Sequence, residues 1–143
     1  MLETARPYRS FTRVNTRAYQ SSLGAFQINV YVHGDARGYH AIHPETTDPA
    51  GSTDLAIGTV IVREVLDAQG AVSKLTLMAK GPRGYDATLG DWWFAEATAD
   101  GTPLEIDGVA RAGRLTDCHG CHVPRATDDY MFGVPKAAQG GHP

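Results

Sequence analysis

Cysteine is scarce in this sequence: two residues in 143, at positions 118 and 121. A pair three positions apart closes no long loop, so a disulfide-stapled scaffold is excluded and the thiols have a local purpose. Long apolar runs are missing as well. None approaches the roughly 18 residues that a membrane-spanning helix needs. Neither sign of charge dominates, with 13 Lys and Arg against 16 Asp and Glu and a net charge of -3. With a pI of about 6.0, general attraction to nucleic acid or to anionic lipid is excluded. Hydrophobic residues are not lacking, at 42%, which excludes disorder as the dominant state. There is no internal repeat, low-complexity tract or composition break, and the length fits the roughly 100–200 residues of one domain. Residues 1–143 are therefore expected to form a single domain.

What is present points to strands. Sixteen Gly, eight Pro and six Tyr suit a loop-rich sheet protein better than a helical bundle. Ile28, Val30 and Val32 alternate with Gln27, Asn29 and Tyr31, the period of a half-buried strand over 26–33. Two β-branched runs, 58–66 and 72–80, flank the turn Asp67-Ala-Gln-Gly70 and predict a hairpin. Residues 91–97 predict a further strand. Short helices are expected at 7–14, early in 34–56 (with a loop after it), at 109–115 leading into the cysteines, and at 128–132. The fold class is α+β, a mainly antiparallel sheet with a few short helices.

The chemistry is concentrated in Cys118-His119-Gly120-Cys121-His122. This C-x-x-C-H run is the attachment signature of c-type haem. Two thiols three residues apart on one helical turn reach the two vinyl groups on one porphyrin edge, and the next residue sets its imidazole under the iron. The reading is one haem c per chain, attached through Cys118 and Cys121, with His122 as the axial iron ligand. Two other chemistries use such thiols. A redox dithiol normally opens a helix after an early strand in a βαβ context, which is absent around residue 118. A zinc site needs four ligands and would have to recruit His40 and His43.

Thioether attachment generally takes place outside the cytoplasmic membrane. A periplasmic or otherwise exported protein is therefore expected, although the first ten residues carry no basic-then-apolar leader. Small electron-transfer cytochromes place the motif early and close the sixth position with a distant Met. Here Met131 follows His122 by only nine residues, too close to wrap to the other face, and Met78 on its strand reads as core. The sixth position is expected to be open or held by water, which suits ligand binding or chemistry more than simple electron transfer.

At this point the chain resembles the cytochrome P460 family, which includes the cytochromes c′-beta. The resemblance is carried by Tyr8-Arg-Ser-Phe-Thr-Arg-Val-Asn15, Val30-Tyr-Val32, Gly58-Thr-Val-Ile-Val-Arg-Glu64, Gly90-Asp-Trp92 with Phe94, and Cys118–His122 followed by Asp129-Tyr-Met-Phe132. It implies a mainly antiparallel β fold, a homodimer, and a five-coordinate haem with the sheet as its distal wall. The P460 enzymes oxidise hydroxylamine and carry a lysine bonded to the haem ring. The matching position here is Arg63, whose protonated guanidinium is a poor nucleophile. Lys74 and Lys80 on the neighbouring strand would need a register shift to substitute. The cytochromes c′-beta instead bind nitric oxide and carbon monoxide.

Three functions follow from these residues. The first is binding of a small gaseous ligand. The second is a redox enzyme consuming hydroxylamine or peroxide, with Arg63 as a distal catalytic group or, more simply, paired with a nearby carboxylate, a haem propionate or solvent. The third is an electron carrier with Met78 on the iron. The first two involve a small gaseous ligand or a small nitrogen or oxygen substrate, and the redox functions add a partner protein. Tyr31, Tyr39, His40 and His43 are candidates for the distal side or the core. Trp92, Trp93 and Phe94 are expected around the haem or a dimer interface, and His119 facing solvent. Asp128 and Asp129 are expected to cap a helix or to accept a hydrogen bond from His122.

Overall fold

A computed structural model of the chain describes residues 2–22, 24–42 and 53–139. Its centre is an antiparallel meander of β3 (Gln27–His33), β4 (Val60–Leu66), β5 (Val72–Lys80) and β6 (Trp92–Ala97). Two-residue strands finish the edges. Strands β1 (Thr12–Arg13) and β2 (Tyr19–Gln20) pair with β3, and β9 (Ala112–Gly113) pairs with β6. Strands β7 (Glu105–Ile106) and β8 (Val109–Ala110) form a separate ribbon. The α+β expectation holds. Helices are short: α1 (Leu2–Ala5), α2 (Ala36–His40), α3 (Thr116–His122) and α4 (Lys136–Gln139). Among the described residues no helix is long and apolar enough to cross a membrane.

The hairpin forms where the sequence predicts it. Asp67 Oδ1 accepts from the Gln69 and Ala71 amides, and Gly70 takes the left-handed φ of +82° that closes the turn. Because β4 is central, both of its faces are covered. Val60 and Val62 join Leu75, Leu77, Ala79, Ala95 and Ala97 in one apolar cluster. Ile61 joins Val30, Val32, Met78, Trp92 and Phe94 in the other. Each fully buried side chain of this size contributes about 1.5–3 kcal/mol. On the first face the N-terminal segment is pinned by Glu64, which accepts from the Tyr8 hydroxyl at 2.7 Å and the Asn29 amide at 2.9 Å.

Register decides what faces the second cluster. Arg63 lies between Val30 and Thr76, Ile61 opposite Met78, and Met78 opposite Phe94. Side chains alternate along strands, so Arg63, Thr76, Ile61, Met78 and Phe94 share the face onto which α3 packs.

Three helices expected from sequence differ. Within 7–14 only Tyr8–Ser10 turns, as a 3-10 segment, before β1 begins. Residues 109–115 are β8 and β9, because pairing with β6 and β7 wins over the local helix preference of Ala and Arg. No helix begins in residues 128–132. A 3-10 segment, Val123–Asp128, ends there, and Asp129 and Tyr130 are both left-handed at φ +52° and +65°. The loop expected after α2 lies largely outside the described residues.

Candidate haem site

Helix α3 carries the thiols and the imidazole. Cys118 is related to Cys121 by i,i+3 and to His122 by i,i+4, so all three project from one side of the helix. An ionic chain holds the helix to the sheet: Lys74 and Arg111 each bond Glu96, and Arg111 reaches Asp117 in the first turn of α3. That acidic residue also suits the positive end of the helix.

His122 is 5% exposed. Its Nδ1 lies 2.6 Å from the Tyr130 carbonyl oxygen. A carbonyl only accepts, so Nδ1 carries the proton and Nε2 presents its lone pair. Burial, reinforced by the charge of Arg63, pushes the imidazole down to about 4 and keeps it neutral. Phe94 and Phe132 meet the ring edge-on at 5.8 and 5.5 Å and fix its plane. A neutral, oriented imidazole with one free nitrogen is what a metal ligand requires.

Cys118, Cys121 and His122 line one cleft of about 220 Å³. Its other walls include Ile28, Val65, Met78, Phe94, Arg63 and Thr76. Arg63 makes no hydrogen bond or ion pair with any described residue, so within that set it has no protein carboxylate as partner, and a haem propionate or solvent is left to pair with it. The hydroxyl of Thr76, its cross-strand neighbour, is buried without a partner. A largely apolar cleft edged by two thiols and an imidazole with a free nitrogen has the chemistry to hold one edge of a tetrapyrrole, though its volume is too small to enclose the whole ring.

Residues 7–133 match the family described as cytochrome P460. The chain belongs to the cytochrome P460 family. Membership supports a haem c cytochrome. A comparison with curated proteins finds no match.

The remaining candidates sort by sheet face. As a P460-family protein the chain brings Tyr39 near the cleft, with its hydroxyl on the Phe132 carbonyl. Tyr31 lies on the opposite face against Tyr8, and Trp93 packs with the cluster there. Trp92 is fully buried, with its indole N–H on the Asp129 carbonyl. Met78 and Met131 belong to the core. Lys74 and Lys80 are ion-paired, to Glu96 and Asp129.

Several readings change. His119 is half-buried beside Tyr130, with Nε2 unpartnered, rather than facing solvent. Asp128 and Asp129 neither cap a following helix nor receive the His122 proton: Asp128 pairs with Arg125, and the acceptor is the Tyr130 backbone. A backbone acceptor leaves no mark on residue type, so sequence reasoning had no signal for it. The zinc reading gains nothing, since among the described residues no three His, Cys, Asp or Glu side chains converge. His40 is exposed and His43 lies outside the described residues. A reactive dithiol is disfavoured too, because burial pushes the Cys118 thiol up to about 11 and away from the thiolate.

Proposed function

We propose that this protein is a mono-haem c-type cytochrome that binds a small diatomic gas, nitric oxide or carbon monoxide, at an open distal position, as the cytochromes c′-beta do. Cys118 and Cys121 would hold the haem through thioethers, and His122 would ligate the iron through Nε2. When bound, the haem supplies an iron with one coordination position free for a small ligand. The chain does the rest. The Tyr130 carbonyl holds the His122 proton on Nδ1, the two phenyl rings fix the imidazole plane, and Ile28, Val65, Met78 and Phe94 give the cleft its apolar lining. The single observation that carries the reading is the neutral, buried His122, with Nδ1 committed and Nε2 free, in one cleft with both thiols. Absorption spectra of ferric and dithionite-reduced protein, with and without nitric oxide, test it. A high-spin ferrous spectrum that changes on adding gas is expected; a low-spin spectrum with a methionine-to-iron band, lost in Met78→Ala, would select the electron carrier instead.

One observation favours a second reading. Arg63 brings an unpaired guanidinium, among the described residues, into the same cleft. A fixed cation there favours anionic ligands and would assist peroxide consumption. Hydroxylamine oxidation of the P460 type is less well supported, because Arg63 stands where that chemistry has its lysine. A homodimer, an exported location and a single haem domain over residues 1–143 complete the proposal. Light scattering at twice the 15.3 kDa chain mass would support the dimer.

A further inference from the structure

The acceptor that orients His122 is a backbone carbonyl, and the backbone there is unusual. Asp129 and Tyr130 are consecutive non-glycine residues in the left-handed region, at φ +52° and +65°. Two such residues in succession are costly unless the surroundings determine them. The surroundings here are three chain segments. Lys80, the last residue of β5, donates to Asp129 Oδ1 at 2.5 Å and to the Gly90 carbonyl at 2.9 Å. The Leu55 amide donates to Asp129 Oδ2 at 2.9 Å. Trp92 Nε1 donates to the Asp129 carbonyl at 2.9 Å, with the Lys80 ammonium 5.1 Å from the indole centroid.

The pair is nearly dry, with side-chain exposures of 12% for Lys80 and 3% for Asp129. Gly90 completes the arrangement: at φ +60° it is itself left-handed, and a Cβ there would collide with the Tyr130 ring. From below, Arg125 Nε donates to the Met131 carbonyl, and the Tyr130 amide donates to the Arg125 carbonyl.

We infer that Lys80 and Asp129 are positioning residues for the proximal imidazole, a buried ionic strut that holds the Tyr130 carbonyl against His122 Nδ1. The inference rests on the haem reading above. Its chemical consequence follows from the bond: a strong acceptor on Nδ1 gives the imidazole anionic character, strengthens its bond to iron and lowers the reduction potential. Loosening the strut would do the reverse without touching any residue in the cleft.

The test is resonance Raman spectroscopy of the ferrous holoprotein with a parallel redox titration, on wild type, Asp129→Ala, Asp129→Asn and Lys80→Met. In wild type an iron–histidine stretching band is expected. Asp129→Ala and Lys80→Met should move it to lower frequency and raise the potential, with the haem still attached. Asp129→Asn keeps an acceptor and tolerates the left-handed backbone but leaves the Lys80 ammonium without its counter-charge, so it should fall between wild type and Asp129→Ala. Should Asp129→Ala fail to accumulate as holoprotein, Lys80→Met carries the test, because it leaves the Asp129 side chain in place. Unchanged band and potential in a folded Lys80→Met protein would overturn the strut. Absence of the band from wild type would instead overturn the five-coordinate haem reading, so the two failures are distinguishable.

Discussion

Arg63 stands half-buried beside Thr76 on a mostly apolar wall, with no described carboxylate in ion-pair reach, and its charge is felt by His122 across the cleft. A guanidinium so placed discriminates between ligands by charge more than by size. A charge-assisted hydrogen bond contributes roughly 1.5–3 kcal/mol. Arg63→Leu is therefore expected to weaken azide or fluoride binding to the ferric protein on the order of tenfold or more, while leaving carbon monoxide affinity of the ferrous protein nearly unchanged. Equilibrium titrations of both ligands check this, and equal losses for anion and neutral gas would refute it. The thiols make a second expectation. Double replacement of Cys118 and Cys121 by Ser should render the haem extractable into acidified organic solvent, whereas wild type should keep its colour in the protein fraction.

At the scale of elements, strands were more legible than helices, for a physical reason. The alternation in β3 and the β-branched runs of β4 and β5 record burial on a pleated surface directly. Residues 109–115 and 128–132 differ from the helices expected because pairing partners outside each segment decide them: β7 and β6 for the first, and Lys80, 49 residues distant, for the second. The motif was legible down to its helix, yet its most important partner, the Tyr130 carbonyl, has no side-chain signature. The face of β5 turned away from the cleft offers a control. Leu75 is 2% exposed there, and Leu75→Ala should cost about 2–5 kcal/mol in denaturant unfolding with an unaltered haem spectrum. Glu64 on that face gives a pH dependence. Burial opposes its charge, but hydrogen bonds from Asn29 and Tyr8 and the Arg9 charge outweigh burial and hold the carboxyl below its ordinary 4.5. A carboxyl so lowered adds stability that is complete above the ordinary value and lost as pH falls through the folded one. Glu64→Gln should thus flatten the loss of stability below about pH 4.5, read by unfolding at a series of pH values.

Across the whole molecule, an antiparallel sheet supplies one wall, a seven-residue helix carries Cys118, Cys121 and His122, and a turn after that helix orients the last of them. Family membership over residues 7–133 and this geometry converge on a haem cytochrome. The proposed gas-binding role gains support from the two described Met residues, which both pack in the core cluster, although Met78 also lines the cleft beside His122. The most direct measurement is the absorption spectrum of matured, reduced protein before and after nitric oxide is added. A high-spin ferrous haem c whose bands shift on adding the gas is expected. A colourless protein, or a low-spin spectrum indifferent to nitric oxide, would contradict the account.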